Sequence, residues 1–216
     1  MVNAVYLVNG VNLTCVTSPV KRPSGQHHGD LRNALERAAL ELVAEKGPHG
    51  FSLNEASRRA GVSVAAPYKH FADRGALLAA LAATGYREQK ERFAAAVAAA
   101  DEPADQLAAF AAAYVRFAAL EPALFDVTFY AGLDKTRHPE LAAAGDALLE
   151  TLMPIARALA PGEDAAFDLL LRVAAAAHGL SVFLRQGLFG VGVDALDETA
   201  DRAARSAYAI VAGLGG

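Results

Sequence analysis

The stretch Ala65-Ala66-Pro67-Tyr68-Lys69-His70 places three side chains that can bind phosphate or a base edge directly after two small residues. Lysine and tyrosine are common donors to phosphate oxygens, and the small residues leave room for a second surface to approach the backbone. The spacing predicts a short helix from Val64 to His70, with Ser63 as its N-cap. A helix this short builds little core. We therefore interpret it as a segment that enters the major groove of DNA.

Two further helices are predicted to hold this segment in place. The first spans residues 30–46, where apolar residues recur every three and four positions. The second begins at Ser52-Leu53-Asn54-Glu55, a capping-box pattern, and ends at Gly61, which can adopt the left-handed conformation. Two short helices joined by Gly61-Val62-Ser63 form a helix-turn-helix. Taken alone, the turn also fits an ordinary helical corner, with Tyr68 in a core.

The runs "HHGDLRNALERAALELVAEKG" and "FSLNEASRRAGVSVAAPYKHFADRGALLAALA" resemble the DNA-binding domain of TetR-family transcriptional regulators, over residues 27 to about 82. In that family a Gly-Val-Ser turn precedes the recognition helix and a Tyr-x-x-Phe ends it. Many members carry a lysine or arginine after the turn, where this chain has Val64, so Lys69 and Arg74 are expected to bind more of the phosphate. The residues and the resemblance together predict these DNA contacts: Ser52, Ser63, Val64, Ala65, Ala66, Tyr68, Lys69, His70 and Arg74.

The remainder of the chain predicts a larger helical body. A long helix, capped by Asp73, begins near Arg74 and is expected to join the two parts, and prolines stand near the starts of three later helices. Pro154 falls inside a predicted helix and should kink or break it. The fold class is all-α with about nine helices: residues 1–26 a disordered extension, 27–74 the helix-turn-helix domain, and 75–216 an antiparallel helical domain for ligand binding and dimerisation.

Aromatic residues are concentrated in the middle of this body. Such a set can line a mostly apolar pocket with a few polar anchors, or it can simply be core. A buried histidine satisfied by a hydrogen bond is the plainer interpretation of His178, and a ligand or interface contact is the sharper one. The predicted ligand contacts are Phe110, Tyr114, Phe117, Phe125, Phe129, Tyr130, Met153 and His178.

The last two long helices carry apolar stripes at helical spacing. The stripes face either the core of their own chain or a second chain, and periodicity does not decide between them. In proteins that this chain resembles, the last two long helices form a four-helix bundle with a second subunit, so the resemblance implies a homodimer. The predicted interface residues are Phe167, Leu171, Ala174, Leu196, Ala200, Ala203, Ala207 and Ile210.

Charge is distributed unevenly along the 216 residues, whose net charge is −4. Residues 21–74 hold nine Lys/Arg and six Asp/Glu (+3), whereas residues 75–216 hold eleven and eighteen (−7). The mildly basic head fits a partner rich in phosphate, and the acidic body does not. The single cysteine, Cys15, indicates a reducing, cytoplasmic setting, and no apolar run reaches the ~20 residues that span a bilayer.

The sequence contains no glycine-rich phosphate loop, nucleophile elbow or His-Glu-x-x-His, so an enzyme is the weakest interpretation. His27 and His28 lack partners at ligand spacing, and we expect neither a metal nor a cofactor. The favoured hypothesis is a homodimeric, ligand-responsive regulator, more specifically a repressor, that binds a palindromic DNA operator and is released by a small-molecule effector. The alternative is a helical ligand-binding or interaction module without DNA binding.

Overall fold

The computed structural model describes residues 6–8, 11–13 and 29–215. It contains eight α-helices in these ranges: α1 (Gly29–Lys46), α2 (Leu53–Arg59), α3 (Arg74–Val97), α4 (Pro103–Leu120), α5 (Pro122–Tyr130), α6 (Pro139–Leu159), α7 (Glu163–Arg185) and α8 (Val193–Ala212). Short 3₁₀ turns occur at Pro67–Lys69, Lys135–Arg137 and Gly213–Gly215. The predicted all-α fold is confirmed, and the predicted number of helices, about nine, is close.

Near the N-terminus, two three-residue strands, β1 (Tyr6–Val8) and β2 (Val11–Leu13), pair antiparallel, with Val8 opposite Val11. These strands lie within the segment for which the sequence analysis expects a disordered extension. The rest of that segment, together with His27 and His28, lies outside the described residues.

The helix ends follow local rules that the sequence displays. Ser52 has an extended backbone, and its hydroxyl accepts a hydrogen bond from the Glu55 N–H at 3.2 Å. Asp73 caps α3 in the same way, because its carboxylate accepts from the Ala76 N–H at 2.8 Å. Gly61 has a φ of 70°, which an L-residue with a Cβ rarely adopts, and it reverses the chain after α2. These three predictions are confirmed.

The prolines of the body occupy two kinds of position, at the start of a helix and inside one. Pro103, Pro122 and Pro139 each occupy the first turn of a helix, where the missing N–H costs little. Pro154 lies inside α6, yet the helix continues from Pro139 to Leu159, so the break is wrong and the alternative that the sequence analysis gave, a kink, stays a prediction. Pro154 and Glu150 are both exposed, and water can therefore bond the Glu150 carbonyl that the proline leaves unpaired.

Two apolar cores meet along α3. Its first half, around Leu77, Leu78 and Leu81, packs with α1 and α2 and also with Val127 and Leu141 of the body. Its second half packs into the body core, which is formed mainly by α4, α6, α7 and α8. The helix-turn-helix therefore rests on the body through shared buried side chains rather than through a loose linker.

Candidate nucleic-acid interface and ligand site

The segment predicted as a regular helix from Val64 to His70 has a different structure. Residues 64–66 form a turn, and only Pro67–Lys69 is helical, as a 3₁₀ turn. Proline has no N–H to donate to the Ser63 carbonyl, which instead accepts from the Ala66 N–H at 3.0 Å. The regular α-helix is therefore a wrong prediction, because Pro67 removes its first i→i+4 bond and tightens the turn.

Most of the predicted DNA-contacting residues nevertheless face solvent. Val64 is 48% exposed and Tyr68 58% exposed, and Phe71 is buried behind them. We call the outward set the head face; it consists of Ser52, Ser63, Val64, Ala65, Tyr68 and Lys69, all exposed, with Ala66 partly exposed beside them. Its hydroxyls and its one lysine can reach phosphate oxygens without rearrangement of the core.

Two predicted DNA contacts are directed elsewhere. The Arg74 Nη1 donates to the backbone carbonyls of Pro48, His49 and Phe51 at 3.1–3.4 Å. That guanidinium holds the loop between α1 and α2, so its assignment to phosphate is not supported. The Nε2 atom of His70 is buried without a partner among the described residues, so this nitrogen is not available to a base edge.

Ion pairs join the two helices behind the head face. The Arg59 guanidinium binds the Glu45 carboxylate through both terminal nitrogens, and Lys46 pairs with Glu55. Lys46, chiefly, and then Arg58 and the Ser52 backbone hold the pKa of the Glu55 carboxyl below its usual value. Glu55 is the acidic residue of the capping-box pattern, and its main partner is Lys46 of α1.

Four of the predicted ligand-binding residues surround His178 as an aromatic cluster: Tyr114, Phe125, Phe129 and Tyr130. His178 stacks on Phe125 at 5.2 Å between ring centroids and meets Phe129 edge-on at 5.1 Å. The Tyr114 hydroxyl lies 2.9 Å from His178 Nδ1, and the Tyr130 hydroxyl lies 3.4 Å from Nε2. Both ring nitrogens therefore have a partner, as the plainer sequence interpretation of His178 requires.

Electrostatics keep this cluster neutral. Burial, with a smaller effect from Arg185, lowers the pKa of His178 below its usual 6.5. Burial, with smaller effects from Tyr86 and Tyr130, raises the pKa of the Tyr114 hydroxyl well above 10. The Arg185 charge is in turn bound by both carboxylate oxygens of Asp126 at 2.6 and 3.0 Å. The cluster is therefore suited to an uncharged ligand group, such as an aromatic ring, rather than to an ion.

Burial separates core from accessible surface within the predicted ligand set. Phe110, Phe117 and Phe125 are at most 2% exposed, and Met153 is 6% exposed. Phe129 and Tyr130, at 37% and 43% exposed, are the accessible members. The structure thus brings the aromatic residues together, as expected, but most of them are packed as core.

Sequence analysis did not single out Gln89, a residue of α3 that is 1% exposed. Its amide nitrogen has no hydrogen-bond partner in the described part of the chain. A buried amide without a partner costs about 1–3 kcal/mol, which a ligand oxygen or a water can recover. The signal available in the sequence was the position of Gln89, which falls on the same side of α3 as Gly85 and Phe93 at a spacing of four residues.

The predicted dimer residues divide into two groups. Phe167 and Leu171 on α7 are 47% and 54% exposed, and Ala174, Leu196 and Ile210 are partly buried. By contrast, the alanines of α8 at 200, 203 and 207 are at most 1% exposed, because they pack in the core of their own chain. Their assignment to a dimer interface is wrong; small side chains there let α8 approach its own neighbours.

The outer side of α7 is apolar over a long stretch. Residues 173–184 contain no charged side chain, and Phe183 on this stretch is 47% exposed. The helix is also long and apolar enough, by length and composition, to cross a membrane, and 33% of its most apolar stretch is buried. Its other side packs into the body through Leu169, Leu170 and Val173, as a core helix of a globular domain does.

The head on its helical body is the architecture of a helix-turn-helix regulator, and comparisons with known proteins assign the family. Residues 36–81 match the family described as bacterial regulatory proteins, tetR family, and residues 107–207 match the tetracyclin repressor-like C-terminal domain. The chain belongs to the TetR family of transcriptional regulators. No protein with a curated description matches it in sequence.

Several solved structures of bacterial proteins share the fold. A protein of unknown function from Rhodococcus sp. RHA1 is 30% identical, with a TM-score of 0.69 over 87% of this chain and 98% of that one. A tetR-family regulatory protein from Rhodococcus RHA1 is 20% identical (TM-score 0.66; 84% and 96% covered). The TetR-family regulator PfmR from Thermus thermophilus is 21% identical (TM-score 0.62; 82% and 97% covered).

Proposed function

We propose that the protein is a homodimeric, ligand-responsive repressor that binds a palindromic DNA operator and leaves it when a small molecule binds the body. The observation that carries the proposal is the head face: Tyr68 and Lys69 project into solvent from a turn that is anchored by buried Pro67 and Phe71. A rigid turn with exposed phosphate donors is suited to positioning on a DNA backbone.

A dimer supports this function because one short turn covers few base pairs. A two-fold pair of heads reads two half-sites about one helical turn, ~34 Å, or a multiple of it apart. The exposed Phe167 and Leu171 and the uncharged stretch of α7 offer an apolar surface for the second copy.

The aromatic cluster supports a body that responds to a ligand. Exposed Phe129 and Tyr130 lead to His178, and buried Gln89 has amide capacity to spare. A ligand that favours one body shape shifts the spacing of the two heads. Carrying the population from 1:99 to 99:1 requires about 5.5 kcal/mol of preference for the released state.

The test is fluorescence anisotropy on the intergenic DNA upstream of the gene, with a shuffled duplex for comparison, at about 50–200 mM salt. We expect specific binding that weakens as salt increases. Lys69→Ala should weaken it on every sequence and reduce the salt slope by about 0.9, because one phosphate contact is lost. Lys90→Ala, which removes an exposed lysine of α3, is the matched control and should leave binding unchanged.

A second candidate function is a helical ligand-binding module whose head no longer binds DNA. Val64, at a position where family members often carry a cation, and the irregular 64–66 turn favour it. The same titration separates the two candidates. Equal, weak binding to operator and shuffled DNA, with Lys69→Ala indistinguishable from Lys90→Ala, would leave the module as the better description.

A further inference from the structure

A cavity of about 450 Å³ lies at the junction of head and body, away from the aromatic cluster. We call it the junction cavity. The head contributes Arg32 of α1 together with His70 and Phe71, which follow the 3₁₀ turn. The body contributes Arg137, His138 and the first turn of α6. A volume of this size accommodates a small organic molecule, which would contact both parts of the chain at once.

The two arginines of the junction cavity differ in whether a carboxylate pairs with them. Arg32 donates to Glu36 at 2.9 Å, lies 3.9 Å from Glu140, and stacks over Phe71 at 5.2 Å. Arg137 also lines the cavity and makes no ion pair with any residue that the structure describes. Two arginines and one carboxylate, that of Glu140, line the cavity, and Arg32 is also paired with Glu36 outside it, so Arg137 is the lining cation without an ion pair among the described residues.

His70 supplies an independent indication of a polar ligand. Its Nε2 atom is buried, and no hydrogen-bond partner for it exists in the described ranges. A buried ring nitrogen normally bonds to protein, water or ligand, so this atom has capacity left, and a small rotation of the ring would offer it to a group in the cavity that His70 lines. His138 lines the same space from the body side.

The rest of the lining is apolar. Phe71, Ala79, Ala80 and Leu141 form part of the wall, and all four are at most 9% exposed. A hydrocarbon or aromatic group would contact this wall and gain from the burial of its own apolar surface, whereas an inorganic ion would not. The lining therefore combines one unbalanced cation with an apolar wall.

We propose that the junction cavity binds a small organic monocarboxylate, with the carboxylate at Arg137 and His70 and the apolar part against Phe71 and Leu141. The guanidinium fork matches a carboxylate in geometry, and one arginine without an ion pair suits a ligand with one negative charge. Binding would join the turn that carries the head face to the start of α6. Any effect on operator affinity rests on the proposed function, but the binding itself does not.

The test uses the full chain with ¹³C-labelled histidine and follows the imidazole resonances by NMR during titration with benzoate or hexanoate. We expect the His70 and His138 resonances to shift saturably while those of His49 stay fixed. The dissociation constant for a ligand as small as benzoate should be on the order of 1 mM. Benzyl alcohol, the neutral counterpart, should bind at least about tenfold more weakly, since charge-assisted bonds are lost.

Two variants probe the site in different ways. Arg137→Gln removes the unbalanced charge and should weaken benzoate binding about tenfold or more, whereas Arg205→Gln, on exposed α8 surface, should not. Ala76→Leu adds volume at a partly exposed lining position and should block the cavity without changing its charge. Unchanged thermal midpoints establish that both variants fold.

The absence of any saturable shift with either carboxylate overturns the proposal. So does benzoate binding that survives both Arg137→Gln and Ala76→Leu. Inorganic phosphate that binds as tightly as benzoate overturns the assignment to an organic carboxylate. These titrations contain no DNA, and the operator measurement contains no carboxylate, so failure of the junction site and failure of the proposed function are distinguishable.

Discussion

The Nε2 atom of His49 lies 2.9 Å from the backbone carbonyl of Tyr130, a hydrogen bond that joins the head to the body. A carbonyl only accepts, so the imidazole donates. The carbonyl of His49 in turn accepts from Arg74, and the hydroxyl of Tyr130 lies 3.4 Å from His178. A continuous set of contacts thus runs from the aromatic cluster to the loop that positions the helix-turn-helix.

Removing this donor should loosen the head without unfolding it. We expect His49→Ala to lower the free energy of unfolding by about 0.5–1.5 kcal/mol, the usual net value of one hydrogen bond. Amide hydrogen exchange should become faster in residues 47–52 and 130–133. His49→Gln, whose amide can donate from a similar position, should stay close to the wild type. Equal amide exchange rates in both variants and the wild type would show that this hydrogen bond does not hold the head against the body.

The caps and helix starts were predictable from sequence because their causes are local. A serine or aspartate cap, a glycine with positive φ and a proline in the first turn each act within four residues of the chain. Ser52, Asp73 and Gly61 therefore appear in the structure as expected. The turn at residues 64–66, where a helix was predicted, was missed although its cause, Pro67, is also local.

Which neighbour an apolar helix face meets is not a local property. Ala200, Ala203 and Ala207 have the same spacing whether they face their own core or a second chain, and the fold uses them inside. The pairing of β1 with β2 is a short-range feature that the helical interpretation of the chain did not predict. His70 and Arg74 point inward for reasons of tertiary contact alone.

A cation at position 64 should strengthen DNA binding. Val64 is 48% exposed on the head face, so Val64→Lys adds a charge there without disturbing the core. We expect tighter binding to all duplexes and a salt slope steeper by about 0.9, measured by anisotropy. Val191→Lys makes the same change at a valine that is 60% exposed outside the head, and it should have little effect. Equal responses would mean that position 64 does not face DNA.

A charged residue placed on the exposed apolar surface of α7 should disrupt the dimer. Leu171 is 54% exposed within one chain, so Leu171→Glu should spare the monomer fold and disrupt the dimer by burying an unpaired carboxylate at its interface. Sedimentation equilibrium should show the wild type as a dimer and the variant as a monomer. Leu149→Glu on α6, also partly exposed at 36%, is the control and should remain dimeric. A wild-type monomer would contradict the prediction.

Stability should fall as the pH drops through the range where His178 titrates. The folded state lowers the pKa of His178 below 6.5, so the unfolded chain takes up the proton first. Stability is therefore full above pH 6.5, decreases as the pH falls below it, and levels off below the folded pKa. Denaturant titrations of wild type and His178→Gln should diverge in this window, with the variant less pH-dependent. Parallel curves would show that His178 is not the cause.

Gly85 of α3 lies against Thr128 and Leu124 of α5, and this contact should not tolerate a methyl group. A Cβ at Gly85 would overlap the Thr128 Oγ1 and lie 3.4 Å from the Leu124 carbonyl oxygen. The Thr128 hydroxyl is held by its own bond to that carbonyl at 2.8 Å, so it cannot turn away without losing a partner. We expect Gly85→Ala to destabilise the fold by about 1–3 kcal/mol through overpacking.

The double variant Gly85→Ala/Thr128→Ala isolates this cause, because it removes the atom that the new methyl group would meet. Measured from the Thr128→Ala background, the cost of Gly85→Ala should fall below about 1 kcal/mol, since the alanine then also gains helix propensity over glycine. Urea unfolding of the four chains gives the coupling energy directly. Costs that simply add would mean that the Thr128 hydroxyl is not what the new methyl group meets.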